Sequence, residues 1–320
     1  MATMRDVASA AGVSLKTVSR VVNGESGVRP ETAERVQAAI ATLEFHPSAV
    51  ARSLRVGQSL PLLGLVVGDL ANPFYSGIAR GVEEVAARQG FLVVTGSSEE
   101  HARREHDLVN ALCAQHIAGL LVVPAGDRTE PGSDTRIPKV FLDRPAPDKV
   151  SDSVLLDNRG GAQQGIAYLV MQGHRRIGVI GDDPTLYTAA ERLAGYRAAF
   201  AAVGLSCDES LIKLGSWTVV RAEACAHQLL GMARPPTALF AMNNRSCVGV
   251  LRAVIAHKAQ VTVLGFDELE LADMIPALDA LIVHDPVEMG RVGARLLLAR
   301  LAGDSSPQQT VVMPTRLVVY

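Results

Sequence analysis

TMRDVASAAGVSLKTVSRVVN, residues 3–23, is the stretch of the 320-residue chain that decides how the rest is organised. Thr3 is a favoured helix N-cap residue. The carboxylate of Asp6, three positions later, suits the free amides and the positive end of the helix dipole. We therefore predict a first helix from Thr3 to about Ala11, followed by a tight turn at Gly12 and Val13.

A second short helix is predicted after this turn, over residues 15–22. Ser14 can cap its start, and Asn23-Gly24 can end it because both residues tolerate left-handed backbone. Two short helices joined by a tight turn form a helix-turn-helix. Pro30, at the favoured first position of a helix, opens a third helix that closes a small all-α domain. The predicted core of this domain is Val7, Ala8, Ala11, Val13, Val18, Val22, Val36, Ala39, Ile40 and Leu43.

The outward face of the second helix carries side chains that suit DNA. The N-terminal part of a recognition helix reaches base edges in the major groove, and Arg20 can bind a guanine through two hydrogen bonds. Short hydroxyl side chains bind phosphates and set the register. The alternative is a solvated amphipathic helix. The predicted DNA contacts are Ser14, Leu15, Lys16, Thr17, Ser19, Arg20 and Asn23.

These motifs resemble the lactose and galactose repressor (LacI/GalR) family of bacterial transcription regulators. The resemblance lies in residues 4–8, 12–14 and 17–23, and it continues in FHPSAVARSL, residues 45–54. In such proteins the second segment is a hinge. Its helix forms only on operator DNA, pairs with its dimer mate in the minor groove and inserts a leucine between the central base pairs.

The resemblance therefore implies that Ala51, Arg52 and Leu54 contact DNA and that Leu54 is the wedge. The residues agree with this role, because a Pro-Ser start suits a helix N-terminus and an apolar side chain between arginines suits a kinked minor groove. A plain linker helix is the alternative. We assign residues 1–46 to the helix-turn-helix domain and 47–60 to the hinge and linker.

Charge is distributed unevenly along the chain, although the net charge is only −2. Up to residue 60 there are seven basic and five acidic residues, which leaves 24 basic and 28 acidic residues in the remainder. This asymmetry places the DNA contact at the N-terminus. With 48% hydrophobic residues, the chain can bury a sizeable core in two or three folding units.

The chain lacks the usual marks of a secreted, membrane or metal-binding protein. Its cysteines, Cys113, Cys207, Cys225 and Cys247, form no CxxC pair, so we expect free thiols, a cytoplasmic protein and no metal site. We find no signal peptide and no apolar run long enough to span a membrane. No catalytic or phosphate-loop motif is present, so we expect neither an enzyme nor a cofactor.

From residue 62 short apolar runs alternate with helical segments, which is typical of an α/β fold. A loop is predicted over 124–138. The predicted strands are 62–67, 92–94, 120–123, 140–142, 154–156, 177–180, 211–214, 238–240 and 261–264, and the predicted helices are 75–88, 103–114, 160–171, 193–203, 222–230 and 246–256. They form two doubly wound parallel-sheet lobes, which bind ligands at the carboxyl ends of their strands, in the cleft between them.

The resemblance to the repressor family extends to about residue 303 and implies a core like that of periplasmic sugar-binding proteins. We assign residues 61–320 to this effector-binding and dimerisation core, with crossovers near residues 157, 285 and 314. Arg192, Asn243 and Asp267 match the arginine, asparagine and aspartate that bind the family's effector. Together such groups can clamp vicinal hydroxyls through charge-assisted hydrogen bonds.

Four further residues are predicted to bind the effector. Phe74 and Tyr75 can stack on a ring, or else they are core aromatics. Asp157 resembles an aspartate that meets effector hydroxyls, with a helix N-cap as the alternative. Trp217, the single tryptophan, matches an aromatic that closes the pocket in the family, although a lone tryptophan is more often in a core.

The family commonly has Thr-Thr-Val-x-Gln-Pro where this chain has LIVHDP, residues 281–286, which indicates a more apolar cleft floor. The chain also lacks the leucine-heptad tail of tetrameric relatives, which favours a dimer. We predict a DNA-binding regulator, a repressor that binds palindromic operator DNA as a homodimer and responds to a sugar or sugar derivative. The alternatives are a nucleobase- or nucleoside-responsive regulator and a cytoplasmic sugar-binding or sugar-processing protein without specific DNA binding.

Overall fold

The computed structural model describes residues 2–22, 25–43, 45, 60–126, 137–215 and 218–320. The chain divides into two compact units, Met1–Leu60 and Pro61–Tyr320. Among the described residues, no helix has both the length and the apolar character needed to cross a membrane.

The first unit contains the predicted helix-turn-helix. Its helices are α1 Met4–Ala11, α2 Leu15–Val22 and α3 Pro30–Thr42. Thr3 and Asp6 form the predicted capping box, and Gly12 ends α1 in a left-handed conformation with φ 62°. The helices share one core, which also contains Phe45, a residue that the patterning did not assign to it. Its buried members are Val7, Ala8, Ala11, Val18, Val36, Ala39 and Phe45.

The second unit contains two six-stranded sheets covered by helices. Its strands are β1 Leu60–Val67, β2 Leu92–Ser97, β3 Ile117–Val122, β4 Lys139–Leu142, β5 Asp152–Leu156, β6 Ile177–Ile180, β7 Ile212–Lys213, β8 Ala238–Ala241, β9 Thr262–Phe266, β10 Leu278–Val283, β11 Thr310–Met313 and β12 Arg316–Val319. Its helices are α4 Pro73–Arg88, α5 Ala102–Ala114, α6 Asn158–Met171, α7 Tyr187–Ala202, α8 Val219–Leu230, α9 Asn244–His257 and α10 Pro286–Leu301.

Each sheet is the centre of one lobe. Lobe A has the strand order β11-β5-β4-β3-β1-β2, and lobe B has the order β12-β10-β9-β8-β6-β7. In lobe B the last strand, β12, runs antiparallel to β10. Within residues 137–320, with 216 and 217 left aside, the chain passes between the lobes after β5, after β10 and between β11 and β12. These passages bring the carboxyl ends of strands from both lobes to one cleft.

The C-terminal elements depart from the patterning. Strands β10, β11 and β12 and helix α10 were not predicted. Strands β11 and β12 are short, half-exposed edge strands without strict alternation. The predicted loop over 124–138 begins with two buried residues, Pro124 and Ala125, and its residues 127–136 lie outside the described part. Helix α10 returns to lobe A, where it packs against α4.

Two glycines allow this helix pair to approach closely. A Cβ added to Gly81 of α4 would lie 1.9 Å from the carbonyl oxygen of Val287, and one added to Gly290 of α10 would lie 2.1 Å from that of Ile78. Both oxygens belong to helix backbone, so a Cβ atom at either position would overlap with it unless the helices moved apart. The close packing of α4 and α10 therefore depends on glycine at both positions.

Gly290→Ala is expected to lower the free energy of unfolding by about 1–3 kcal/mol, because it overpacks this interface. At a solvent-exposed position inside a helix, a Gly→Ala change stabilises the protein by about 1 kcal/mol. Urea unfolding followed by circular dichroism measures the difference. Gly126→Ala is the control, since nothing lies within 4 Å of an added Cβ there. A Gly290→Ala protein as stable as the control contradicts the packing argument.

Candidate functional site

The first unit presents a polar face on α2. Val18 points into the core, while Ser14, Leu15 and Lys16 are exposed. The hydroxyl of Ser14 accepts a hydrogen bond from the backbone N–H of Thr17 at 3.2 Å, so Ser14 caps the helix as predicted.

Arg20 remains accessible on the same helix. Its side chain is 45% exposed, and its Nε lies 3.9 Å from a carboxylate oxygen of Glu25. An exposed pair of this kind contributes little and is readily exchanged for another partner. The predicted contacts Asn23, Ala51, Arg52 and Leu54 lie outside the described residues, and their role stays a prediction.

In the second unit, a buried polar cluster centres on Arg192 of α7. Its Nε donates to Oδ1 of Asn158 at 2.7 Å, one terminal nitrogen donates to the carbonyl oxygen of Met242, and the other donates to Oδ1 of Asp267 at 3.4 Å. The guanidinium also lies 3.7 Å from the centroid of the Phe266 ring. Every guanidinium nitrogen therefore has a partner within the protein, which fixes the orientation of Arg192.

Asp267 directly follows β9 and has left-handed backbone, with φ 73°. Its carboxylate accepts the backbone N–H of Asn244 at 3.2 Å and lies 3.0 Å from Nε2 of His284. Burial acts to raise the pKa of Asp267, but the charge of Arg192 and the His284 hydrogen bond hold it below its ordinary value. Asp267 is thus an ionised, buried carboxylate that joins the ends of β8, β9 and β10.

Asn243 does not present its amide to the cleft. Its Oδ1 accepts the backbone N–H of Ser246 at 2.7 Å and so caps α9, and its Nδ2 donates to Oδ2 of Asp182 at 2.7 Å. Oδ1 of Asp182 is buried and has no hydrogen-bond partner among the described residues. Burial raises the pKa of Asp182 to about 6. Asn243 therefore orients Asp182, whose Oδ1 has no partner in the described part of the chain.

Lobe A contributes a second polar cluster, around Arg144. Arg144 donates to both carboxylate oxygens of Glu100, at 2.7 and 3.0 Å, and to the carbonyl oxygen of Pro124. The hydroxyl of Tyr75 donates to Glu100 at 2.8 Å. Burial, reinforced by the charge of Glu100, raises the pKa of Tyr75 well above its ordinary value. Tyr75 is thus a buried, hydrogen-bonded residue in this structure, which matches the core alternative given for it.

A cavity of about 1010 Å³ lies where the two lobes meet, and it is comparable in size to ligand pockets of proteins. Lobe A lines it with Asn72 and Phe74, and lobe B lines it with Asn244 and Asp267, joined by His284 at the end of β10. The lobes touch here, because Nδ2 of Asn244 donates to Oδ1 of Asn72 at 2.7 Å. Residues of both lobes therefore meet at the edge of the cavity.

Phe74 and Asp267 are the predicted effector residues that line this cavity. The ring of Phe74 meets His284 edge to face, with centroids 5.3 Å apart. Asp157 is exposed and caps α6 by accepting the backbone N–H of Gly160 at 2.8 Å, which is the alternative given for it. Trp217 lies outside the described residues.

The cavity floor differs from the expected apolar floor. Leu281 and Ile282 are fully buried in the core of lobe B, while His284 reaches the cavity. The sequence reasoning also missed Asp143, Asn158 and Asp182. A common signal was available, because these three residues, like His284, follow a strand end by one or two positions. In the described part of the chain, no group of three or more His, Cys, Asp or Glu side chains is placed to hold a metal ion.

Comparisons with known proteins agree with both units. The family model of bacterial regulatory proteins, lacI family, matches residues 3–48, and that of a periplasmic binding protein-like domain matches residues 166–319. The transcriptional regulator CelR of Thermobifida fusca is 34% identical, over 99% of this chain and 97% of its own length.

Two solved structures are similar over nearly the whole chain. A CelR–cellobiose complex is 31% identical with a TM-score of 0.74, and it covers 100% of this chain and 99% of its own. A Lac repressor dimer bound to operator and an anti-inducer is 28% identical with a TM-score of 0.84, and it covers 99% and 97%.

Proposed function

Since the chain belongs to the lacI family of bacterial regulatory proteins and is a DNA-binding transcription regulator, we propose that it is a dimeric repressor with a sugar effector. In this proposal α2 reads each half of a palindromic operator, and the effector occupies the cavity between the lobes. The cavity is the observation that supports an effector site, because it has the size of a ligand pocket and is bordered by the ionised Asp267. The complex of CelR with cellobiose supports a sugar as the ligand class.

Exposed apolar side chains support the dimer. Leu92, Ile255 and Met274 are each more than 60% exposed in the single chain, and burial of such side chains against a partner would contribute hydrophobic stabilisation. A homodimer also matches a palindromic operator, because its two-fold axis places two reading helices in successive major grooves. We further propose that the protein works in the cytoplasm, where it associates with the nucleoid when DNA-bound, and that it has no enzymatic activity.

Selection from a pool of random DNA sites tests whether the protein binds a palindromic operator. Sedimentation of the free protein tests whether it is a dimer. Enrichment of a palindrome supports the proposal. Binding without sequence enrichment, together with a steep loss of affinity in salt, indicates a sugar-binding protein that contacts DNA only nonspecifically.

Leu54→Ala is expected to reduce operator bending and affinity together, because the proposed wedge holds the kink open. The lost contact resembles the truncation of a buried leucine, for which a cost of about 2–5 kcal/mol is ordinary. Gel mobility of circularly permuted operator fragments reports the bend, and a Leu54→Met protein, which keeps an apolar wedge, is the matched control. If the operator DNA bends equally in complex with the Leu54→Ala protein, Leu54 is not the wedge of a hinge helix.

A further inference from the structure

Two histidines form a pair at the ends of neighbouring helices in lobe B. His227 lies in the last turn of α8, and His257 is the last residue of α9. Nε2 of His257 lies 2.8 Å from Nδ1 of His227, and the ring centroids are 4.9 Å apart. The His227 side chain is 40% exposed, and His257 is exposed as well. Two imidazole nitrogens from different helices therefore face one another at the protein surface.

The close packing of α8 and α9 fixes the backbone positions of the pair. A Cβ added to Gly249 of α9 would lie 2.5 Å from the carbonyl oxygen of Val219 and 2.7 Å from the backbone nitrogen of Glu223, so only glycine permits this helix separation. Ala226 of α8 and Val254 of α9, each close to one of the histidines along its helix, are buried in one core cluster. A ligand that uses both rings therefore meets two side chains on a rigid support.

Glu223, one turn before His227, influences which nitrogen of His227 carries the proton. Its Oε1 lies 3.9 Å from Nε2 of His227, and its Oε2 lies 3.8 Å from a terminal nitrogen of Arg252. A carboxylate favours a proton on the ring nitrogen that faces it, so the lone pair of His227 is on Nδ1 and is directed at His257. Metal-binding histidines commonly have this arrangement, in which the other ring nitrogen faces a carboxylate.

The separation of the two nitrogens indicates a coordination geometry. Imidazole nitrogens bind first-row divalent metal ions at about 2.0–2.1 Å, so two of them are about 2.9 Å apart at a right angle and about 3.3 Å apart at the tetrahedral angle. The observed 2.8 Å is close to the first value. Right angles are typical of Ni²⁺ and Cu²⁺, whereas Zn²⁺ in proteins is mostly tetrahedral.

We propose that His227 and His257 are the two protein ligands of a surface site for a divalent metal ion of the nickel and copper type, with water at the remaining positions. To bind the ion through Nε2, His257 carries its proton on Nδ1 instead, where water can accept it. Val219 and Asn244, at the first turns of α8 and α9, line the cavity between the lobes. At 1.5 Å per helical residue, the histidines lie about 12–20 Å from it, so the metal site is separate from the proposed effector site.

Sequence spacing predicted no metal site, because the two histidines are 30 positions apart and on different helices. Since the described residues contain no group of three or more such ligands, the ion at this site is exchangeable and is not a structural ion. Ile255, one of the exposed side chains that support the dimer, lies about 200° around α9 from His257. The two side chains are thus on opposite sides of the helix.

Titration calorimetry with Ni²⁺ on the full-length protein, without a polyhistidine tag, tests the inference. The unaltered protein is expected to bind one Ni²⁺ per chain at this site. His227→Asn and His257→Asn are each expected to weaken this binding at least about 10-fold, because the second ligand no longer acts within the same molecule. Zn²⁺ is expected to bind more weakly than Ni²⁺, because a tetrahedral ion requires the two nitrogens to move apart. Ni²⁺ is also expected to raise the Tm of the unaltered protein but not of the two variants.

His116→Asn is the matched control. His116 is exposed, and its backbone has φ 56°, which asparagine tolerates. This variant is expected to bind Ni²⁺ with unchanged affinity. The inference is overturned if the unaltered protein binds Ni²⁺ no more tightly than a His227→Asn/His257→Asn double variant, since the pair is then only a hydrogen bond between two helices. Tighter binding of Zn²⁺ than of Ni²⁺ overturns the assigned geometry and with it the proposed class of metal ion.

Discussion

Asp267→Asn is expected to give a protein that binds its operator with normal affinity but no longer responds to a sugar effector. The amide keeps the size of the carboxylate, but it removes the charge that pairs with Arg192 and His284. A ligand shifts the DNA-bound state only through its different affinities for two lobe arrangements, and such couplings are typically about 1–3 kcal/mol, or roughly 5- to 150-fold. That change in operator affinity is expected to disappear.

Operator affinity with and without sugar is the measurement. Asp183→Asn is the control, because Asp183 does not line the cavity and its carboxylate accepts the backbone N–H and the hydroxyl of Thr185. The free energy of unfolding is expected to fall by about 1–3 kcal/mol, because buried donors lose a charged acceptor. Intact operator binding in the same sample shows that the variant is folded. A variant that still responds with the full coupling places the effector away from Asp267.

Arg20→Ala is expected to weaken binding to the preferred operator by about 1–3 kcal/mol for each half-site and to relax the base preference at one symmetric pair of positions. A dimer carries two copies of Arg20, so the substitution removes one base contact from each half-site. The side chain is accessible for this contact, because it is 45% exposed and its ion pair with Glu25 is long, at 3.9 Å.

Binding to the selected operator and to single-base variants of it measures both effects. Arg35→Ala removes the same charge from an exposed position on α3, and it is expected to cause at most a small weakening that is equal on all sequences. If Arg20→Ala behaves in the same way, Arg20 contacts only phosphate.

Local rules were sufficient to predict the first unit. The capping box of Thr3 and Asp6, the turn at Gly12 and the bounds of α2 depend on nearby residues, and the structure confirms each of them. The same holds for most strands of both lobes, because buried parallel strands are continuous apolar runs. The core position of Phe45 was missed, since it depends on contacts that helical spacing does not encode.

The cleft was predicted in position but only partly in detail. Arg192 and Asp267 were expected there, and they pair with each other. Asn243 and Asp157 instead cap helices, and Tyr75 is buried against Glu100. A polar residue directly after a strand end can be identified from the sequence as a candidate ligand-binding residue. Its hydrogen-bond partner, however, comes from residues far along the chain, and sequence spacing carries no information about that partner.

The most direct test of the account is the affinity of the full-length protein for its selected palindromic operator, measured by fluorescence anisotropy at fixed salt with and without cellobiose, glucose, galactose or ribose. We expect at least one sugar to change the dissociation constant by roughly 5- to 150-fold. We also expect the Asp267→Asn protein to bind the same operator without that change. An operator affinity that no sugar alters, or a wild-type protein that enriches no palindrome, contradicts the account of a sugar-controlled repressor.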